Sequence, residues 1–117
     1  MQSLKNYEVG GSIHIIANNQ IGFTTTPDRG RSGNYSSDIA KMINAPIFHV
    51  NADDMESVAK TFAIAAEYRM TFGKDVVVDL IGYRKMGHNE LDNPFFTQPM
   101  MYNIVKNMKP TRDAYKE

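Results

Sequence analysis

Two polar segments of the chain contain the residue types from which a ligand site can be built. The first, Asn18-Asn19-Gln20-Ile21-Gly22-Phe23-Thr24-Thr25, follows an apolar run rich in β-branched residues, and the second, residues 82–90, follows another. Amide oxygens suit a hard cation such as Mg²⁺ that carries phosphate groups, and a glycine at position 22 allows close backbone approach. For the Asn pair taken alone, a plain turn that closes a strand is the alternative interpretation.

The elements that must position these segments follow from hydrophobic patterning. Three apolar runs, at 12–17, 46–50 and 75–81, predict strands, and the intervening segments at 36–43 and 55–72 predict helices. Alternating strands and helices imply right-handed crossovers, so the predicted fold class is α/β, with a parallel sheet and flanking helices. Ligands of such sheets lie outside the carboxyl ends of the strands, where both polar segments emerge.

The helix predicted at 55–72 has the clearest pattern. Its apolar residues recur at three- and four-residue steps, which gives one apolar stripe. Asp53 and Glu56 have the spacing of a capping box, and Gly73 marks the end of the helix. A last short helix is expected at 99–108. We interpret the helix at 55–72 as scaffold.

The connection between the first strand and the first helix is long. At about eighteen residues, Asn18–Tyr35 exceeds the usual length of a connection, and long ordered loops are often functional. It contains Arg29 and Arg31, either of which could meet a phosphate or a carboxylate, although a solvated surface arginine is the commoner case.

The three histidines differ in their surroundings. His14 and His49 lie within apolar strands, which favours core histidines with satisfied hydrogen bonds. His88 lies in the polar loop after the third strand and is a candidate for phosphate contact or proton transfer. The sequence contains no zinc-ligand spacing, serine nucleophile elbow or Walker loop, and the glycines at 10 and 11 precede the strand, which excludes a dinucleotide fingerprint.

Composition excludes several classes of partner. The chain has 117 residues, with 13 basic and 13 acidic side chains and no cysteine. With balanced charge and no basic run, nucleic-acid binding is not expected, and no apolar run approaches the length that spans a membrane. The absence of cysteine excludes disulfides and thiolate metal sites.

The residues around these loops resemble the thiamine diphosphate-dependent, decarboxylating first components of the oxoglutarate dehydrogenase family. The similarity covers nearly the whole chain and is carried by short motifs in a fixed order: Asn18–Thr25, Ala45–Asn51, Lys74–Leu80, Gly87-His88-Asn89-Glu90 and Thr97–Tyr102. The Gly-His-Asn-Glu loop separates the chain from pyruvate and branched-chain dehydrogenases. Gly30-Arg31-Ser32 and Asn89–Asp92 are somewhat similar to the oxoadipate-preferring paralogue, so oxoglutarate is expected as substrate, with oxoadipate as the alternative.

The resemblance implies specific roles for three residues. Asn19 would give its side-chain oxygen to Mg²⁺, Ile21 would give its backbone carbonyl, and the metal would hold the diphosphate of thiamine diphosphate. His88 would lie near the diphosphate. The intact enzyme would decarboxylate a 2-oxo acid and pass the acyl group to the lipoyl arm of an acyltransferase component.

The resemblance also implies that the chain, residues 1–117, is a fragment of a single thiamine diphosphate-binding domain. The Gly-Asp pair of the family motif, with the metal carboxylate, would fall ahead of Met1. The fragment alone is therefore expected to be inactive, and the full-length enzyme to be a homodimer of the tricarboxylic acid cycle. It would be located in the mitochondrial matrix, or in the cytoplasm of a bacterium. A stand-alone α/β phosphate-binding module and an interaction domain with merely solvated loops are the alternatives.

Overall fold

The computed structural model describes residues 4–116, so residues 1–3 and 117 of the predicted domain lie outside the described part. The elements follow the alternation expected from the sequence, and two short helices are added near the carboxyl end. In chain order they are β1 (Ile13–Asn18), a 3₁₀ helix (Ser36–Ile43), β2 (Ile47–Asn51), α1 (Met55–Phe72), β3 (Val76–Ile81), α2 (Pro94–Thr97), α3 (Pro99–Val105) and α4 (Thr111–Tyr115).

The strands form a parallel sheet, as predicted. Its order is β1-β3-β2, and both outer strands pair in parallel with β3. The register places Asn18 of β1 and Asn51 of β2 opposite Ile81 of β3. All three strands of the described sheet therefore end together, and the loops that follow them start at one edge.

The sheet is covered on both faces, which explains the continuous apolar run of β3. On one face, Val76 and Val78 pack with Ala65 of α1 in a buried cluster that Phe62 also contacts. On the other face, Val77 packs with Ala40 of the 3₁₀ helix and with Ala45. The residues from Val76 to Asp79 are all buried because β3 is the central strand and successive side chains point to opposite faces.

The ends of the helices show where the sequence patterns were right and where they were wrong. Helix α1 has the predicted bounds, and Gly73 ends it in the left-handed conformation (φ 59°). The predicted Asp53–Glu56 capping box is wrong. Asp54 caps the helix instead, because its carboxylate accepts hydrogen bonds from both the backbone N–H and the hydroxyl of Ser57, at 3.0 and 2.7 Å.

Strand β1 is less buried than its apolar sequence predicts. It lies at the edge of the described sheet, and Ile15 is 57% exposed because α1 packs mainly over β3 and β2. The expected last helix, 99–108, ends earlier, at Val105. No helix in the described part of the chain combines the length and apolar character needed to cross a bilayer.

Candidate functional site

The loop after β1 begins with two successive side-chain turns. Asn18 Oδ1 accepts a hydrogen bond from the Gln20 N–H at 3.2 Å, and Asn19 Oδ1 accepts one from the Ile21 N–H at 3.1 Å. Each amide carbonyl can accept a second hydrogen bond or a metal ion, because the oxygen has two lone pairs. The Asn19 side-chain oxygen and the Ile21 backbone are therefore held within one turn.

The same loop contains unusual backbone conformations. Gln20 and Phe23 have positive φ angles, 59° and 56°, which non-glycine residues adopt only rarely. Such conformations persist where surrounding contacts enforce them, and they are common at ligand sites. At Gly22 a Cβ atom would lie 2.9 Å from the Thr25 carbonyl oxygen, so glycine is required here for the turn to close on itself.

The loops after β1 and β3 meet, as the parallel sheet predicted. Gln20 Nε2 donates to the Gly82 carbonyl at 2.9 Å, and the Gly82 N–H donates to the Asn18 carbonyl at 2.9 Å. Farther out, the rings of Phe23 and His88 lie 4.6 Å apart, centroid to centroid. The two polar segments predicted from the sequence, 18–25 and 82–90, therefore lie together at one edge of the sheet.

A cleft of about 290 Å³ opens beside the first of these loops. Its walls come from the end of β1, the turn that follows, the middle of the long loop and the start of the 3₁₀ helix. The lining residues are Ile16, Ala17, Asn18, Asn19, Gln20, Ile21, Gly22, Thr25, Thr26, Pro27, Gly30, Arg31 and Ser36. Two of the three residues assigned to cofactor or metal binding, Asn19 and Ile21, therefore line one cleft.

The third, His88, lies outside this cleft, in a loop with its own hydrogen bonds. The His88 N–H donates to Asp92 Oδ2 at 3.1 Å, and the His88 carbonyl accepts from the Arg84 guanidinium at 2.7 Å. Gly87 precedes it with φ 78°, and a Cβ there would lie 2.9 Å from Asp92 Oδ2. The His88 ring is exposed and contacts the first loop through Phe23.

Helix α3 supports this second loop from beneath. Tyr102 is 2% exposed, and its hydroxyl donates to the Arg84 carbonyl at 2.7 Å. Burial raises the pKa of the Tyr102 phenol, and the negative charge of Asp92 raises it further. The loop conformation that presents His88 therefore depends on a helix about fifteen residues further along the chain.

Sequence reasoning missed a buried polar cluster on the face of the sheet that carries the 3₁₀ helix. Asp79 of β3 is 0% exposed; its Oδ2 lies 3.0 Å from His49 Nδ1 and 3.4 Å from the Ser37 hydroxyl. Its Oδ1 has no hydrogen-bond partner in the described chain. The Tyr35 ring covers His49 at a centroid distance of 4.2 Å. The sequence signal that could have indicated this cluster is Asp79 itself, a charged residue within an otherwise apolar strand.

The two strand histidines are not core residues of the kind expected. The His49 side chain is 35% exposed and is fixed by Asp79, whereas that of His14 is 55% exposed and lies 3.8 Å from Asp75. Both lie on the face of the sheet that carries the 3₁₀ helix, because the register pairs His14 with Val77 and His49 with Asp79. The expectation of a buried, satisfied histidine is wrong for His14 and only half right for His49.

The donor set at the first loop fits a hard cation that already carries anionic oxygens. Asn19 and Ile21 offer an amide and a carbonyl oxygen within one turn, which are ligand types that Mg²⁺ accepts. Within residues 4–116 there is no group of three or more His, Cys, Asp or Glu side chains placed to hold a metal ion. The turn by itself therefore offers neutral oxygen ligands.

Fold and site together define an α/β domain with a ligand site at the carboxyl edge of a parallel sheet. Comparison with known proteins makes the class specific: the family model described as "Dehydrogenase E1 component" matches residues 1–117. The chain belongs to the dehydrogenase E1 component family.

Individual relatives are similar along the whole chain. It is 53% identical over 117 residues to "2-oxoglutarate dehydrogenase-like, mitochondrial" of Xenopus laevis and 52% identical to "2-oxoadipate dehydrogenase complex component E1" of Danio rerio. It is also 53% identical to "2-oxoglutarate dehydrogenase E1 component" of Bacillus licheniformis. Each alignment covers 100% of this chain but only 12% or 13% of the relative, so the chain spans a small part of the proteins it matches.

Proposed function

We propose that this chain forms the diphosphate-holding part of a thiamine diphosphate-dependent 2-oxoglutarate dehydrogenase E1 component. The observation that carries the proposal is the turn at Asn19, which holds two oxygen ligands at the edge where two loops of a parallel sheet meet. Family membership over residues 1–117 supports the same interpretation. The relatives' names supply the reaction class.

In this proposal, Asn19 Oδ1 and the Ile21 carbonyl bind Mg²⁺, and the metal binds the diphosphate of the cofactor. The hydrogen bond from the Ile21 N–H orients the Asn19 side chain in advance, which reduces the entropy lost on binding. When bound, thiamine diphosphate supplies the electron sink that decarboxylation of a 2-oxo acid requires. The residues of this chain bind and orient the cofactor.

His88 has a less direct role. Its ring contacts Phe23 rather than the cleft, so we assign it to the outer side of the site, facing the cofactor's diphosphate once the full enzyme is assembled. Its backbone bonds to Asp92 and Arg84 fix the main chain from which the imidazole projects. We expect His88→Ala to reduce activity, either through the diphosphate or through the loop that carries the ring.

The full-length enzyme is proposed to form a homodimer and to transfer the succinyl group to the lipoyl arm of an acyltransferase partner. It would act in the tricarboxylic acid cycle, in the mitochondrial matrix or in a bacterial cytoplasm. 2-Oxoadipate is the second candidate substrate, because the relatives named for it are 50% and 52% identical to the chain and those named for oxoglutarate are 51% and 53% identical.

The test uses the full-length enzyme that carries this segment. Cofactor-dependent decarboxylation is measured with 2-oxoglutarate and with 2-oxoadipate, before and after Mg²⁺ is removed by a chelator. We expect higher kcat/KM with 2-oxoglutarate and loss of activity without metal. Higher kcat/KM with 2-oxoadipate would assign the paralogue instead.

The isolated 117-residue chain provides the complementary test. We expect it to have no dehydrogenase activity and to bind thiamine diphosphate weakly, because the turn offers only neutral ligands. Calorimetric titration with cofactor and Mg²⁺ measures this directly. Tight binding with one-to-one stoichiometry would favour a self-contained phosphate-binding module over an enzyme fragment.

A further inference from the structure

The cleft beside Asn19 has an uneven chemical lining. Its described walls combine amide groups, hydroxyls, glycines and aliphatic side chains, and a single side chain among them, Arg31, carries a charge. Neither Asp28 nor Arg29, which lie in the same loop, belongs to the lining, and both are exposed. A cleft with one cation and no lining carboxylate favours an anionic ligand.

Arg31 is held in place by the loop that carries it. Its Nε donates to the Pro27 carbonyl at 3.2 Å, and both residues line the cleft. The two terminal guanidinium nitrogens have no hydrogen-bond partner among residues 4–116. The side chain is half-buried and fixed at Nε, so it loses less conformational entropy when a ligand binds. Its two terminal nitrogens can donate to the two oxygens of an anionic group.

We propose that Arg31 is the anion-binding side chain of this cleft and takes an oxyanion of the bound ligand through its two terminal nitrogens. The inference rests on the proposed function and adds a binding residue to it. The oxyanion is either a phosphoryl oxygen of the diphosphate or a carboxylate of the substrate. Mg²⁺ at Asn19 and the guanidinium at Arg31 would then neutralise anionic groups from two walls of one cleft.

The test compares Arg31→Gln with Arg29→Gln in the full-length enzyme, stripped of cofactor. Both variants lose one positive charge from the same loop, but only Arg31 lines the cleft. Calorimetry with inorganic pyrophosphate and Mg²⁺ isolates the phosphate contact from the thiamine ring. We expect Arg31→Gln to weaken pyrophosphate and thiamine diphosphate binding at least about tenfold, because charge-assisted bidentate bonds are lost. We expect Arg29→Gln to change either by less than about twofold.

A second arm distinguishes the source of the oxyanion. If pyrophosphate binding is unchanged but the KM for 2-oxoglutarate rises at least about tenfold in Arg31→Gln, Arg31 binds the substrate carboxylate. Arg31→Lys keeps the charge and loses the bond from Nε to Pro27, so it should bind the affected ligand more tightly than Arg31→Gln does. If Arg31→Lys and Arg31→Gln weaken ligand binding equally, Arg31 supports the loop and does not bind the anion, and the inference is wrong.

Two further outcomes contradict the inference in different ways. If Arg31→Gln matches the parent with pyrophosphate, thiamine diphosphate and 2-oxoglutarate, the inference is wrong and the proposed function stands. If the parent itself binds neither pyrophosphate nor thiamine diphosphate, the proposed function fails and the inference fails with it.

Discussion

The Gln20 side-chain amide donates to the Gly82 carbonyl at 2.9 Å, although the two residues are 62 positions apart in the chain. This bond joins the loop after β1 to the loop after β3 at the carboxyl edge of the sheet. Together with the bond from the Gly82 N–H to the Asn18 carbonyl, it fixes the start of both loops. The geometry of the turn at Asn19 therefore depends on contacts outside the turn itself.

The first prediction concerns that bond. Gln20→Ala removes a partly buried donor and leaves the Gly82 carbonyl without it, so we expect the free energy of unfolding to fall by about 1 kcal/mol. Amide hydrogen exchange in residues 18–26 should also become faster. The measurements are urea denaturation and hydrogen exchange of the folded protein. Asn34→Ala is the control, because Asn34 is an exposed amide in the same loop.

Equal exchange rates in Gln20→Ala and Asn34→Ala would show that the bond does not order the loop. The turn at Asn19 would then be maintained by the two side-chain turns and by the bond from the Gly82 N–H to the Asn18 carbonyl.

The second prediction concerns the buried Asp79 carboxylate and its partner His49. His49→Leu leaves a fully buried carboxylate that keeps only the 3.4 Å contact to Ser37, so we expect a loss of about 2 kcal/mol in the free energy of unfolding. The double variant His49→Leu, Asp79→Leu should lose less than the single variant, because no buried charge then remains unpaired.

Urea denaturation of the parent, both single variants and the double variant gives the coupling free energy of the pair. Additive losses, with the double variant equal to the sum of the two single variants, would show that His49 and Asp79 contribute independently.

The third prediction uses the Tyr102 hydroxyl. Burial and the nearby Asp92 charge raise its pKa in the folded state. Because the folded pKa lies above the unfolded one, the phenol contributes stability that is present below about pH 10 and is lost as the pH rises through the folded pKa. Tyr102→Phe lacks this ionisation and also lacks the hydrogen bond to the Arg84 carbonyl.

We therefore expect the parent to be more stable than Tyr102→Phe at pH 8, by about 1 kcal/mol for the lost hydrogen bond. The difference should shrink as the pH rises above 10 through pH 11, because the phenol then ionises more readily in the unfolded chain than in the folded one. Urea midpoints at the three pH values test this. A constant difference across the range would mean that the Tyr102 phenol does not ionise preferentially on unfolding.

The sequence predicted the scaffold well because hydrophobic periodicity depends on local spacing. The run from Val76 to Leu80 indicated a strand covered on both faces, and the stripe along α1 gave that helix its correct bounds. The polar ends of β1 and β3 indicated the site, because parallel strands must end at one edge.

Sequence reasoning missed contacts that only the folded structure distinguishes, one of them long-range and the others local. The Asp79–His49 pair joins positions 30 residues apart, and only the register of β2 against β3 brings them together. Two adjacent aspartates, Asp53 and Asp54, could each have capped α1. Sequence spacing favoured Asp53, but in the structure Asp54 accepts the hydrogen bond from the Ser57 N–H. The sequence did not distinguish Arg31 from Arg29 as a ligand contact. The structure does, because Arg31 lines the cleft and Arg29 does not.

The central claim is that Asn19 binds the metal that holds the cofactor, and the dissociation constant of thiamine diphosphate tests it most directly. The comparison uses the full-length enzyme with Mg²⁺ and the variants Asn19→Ala, Asn18→Ala and Ile21→Val. Asn18→Ala is the matched control, because it deletes the same kind of side-chain turn one residue earlier. Ile21→Val keeps the backbone carbonyl.

We expect Asn19→Ala to raise the dissociation constant at least about tenfold, which is about 1.4 kcal/mol, with smaller changes in the other two variants. Asn19→Asp should bind the cofactor better than Asn19→Ala, since it restores an oxygen for both the turn and the metal. If Asn19→Ala binds thiamine diphosphate as tightly as the parent does, the metal assignment is wrong.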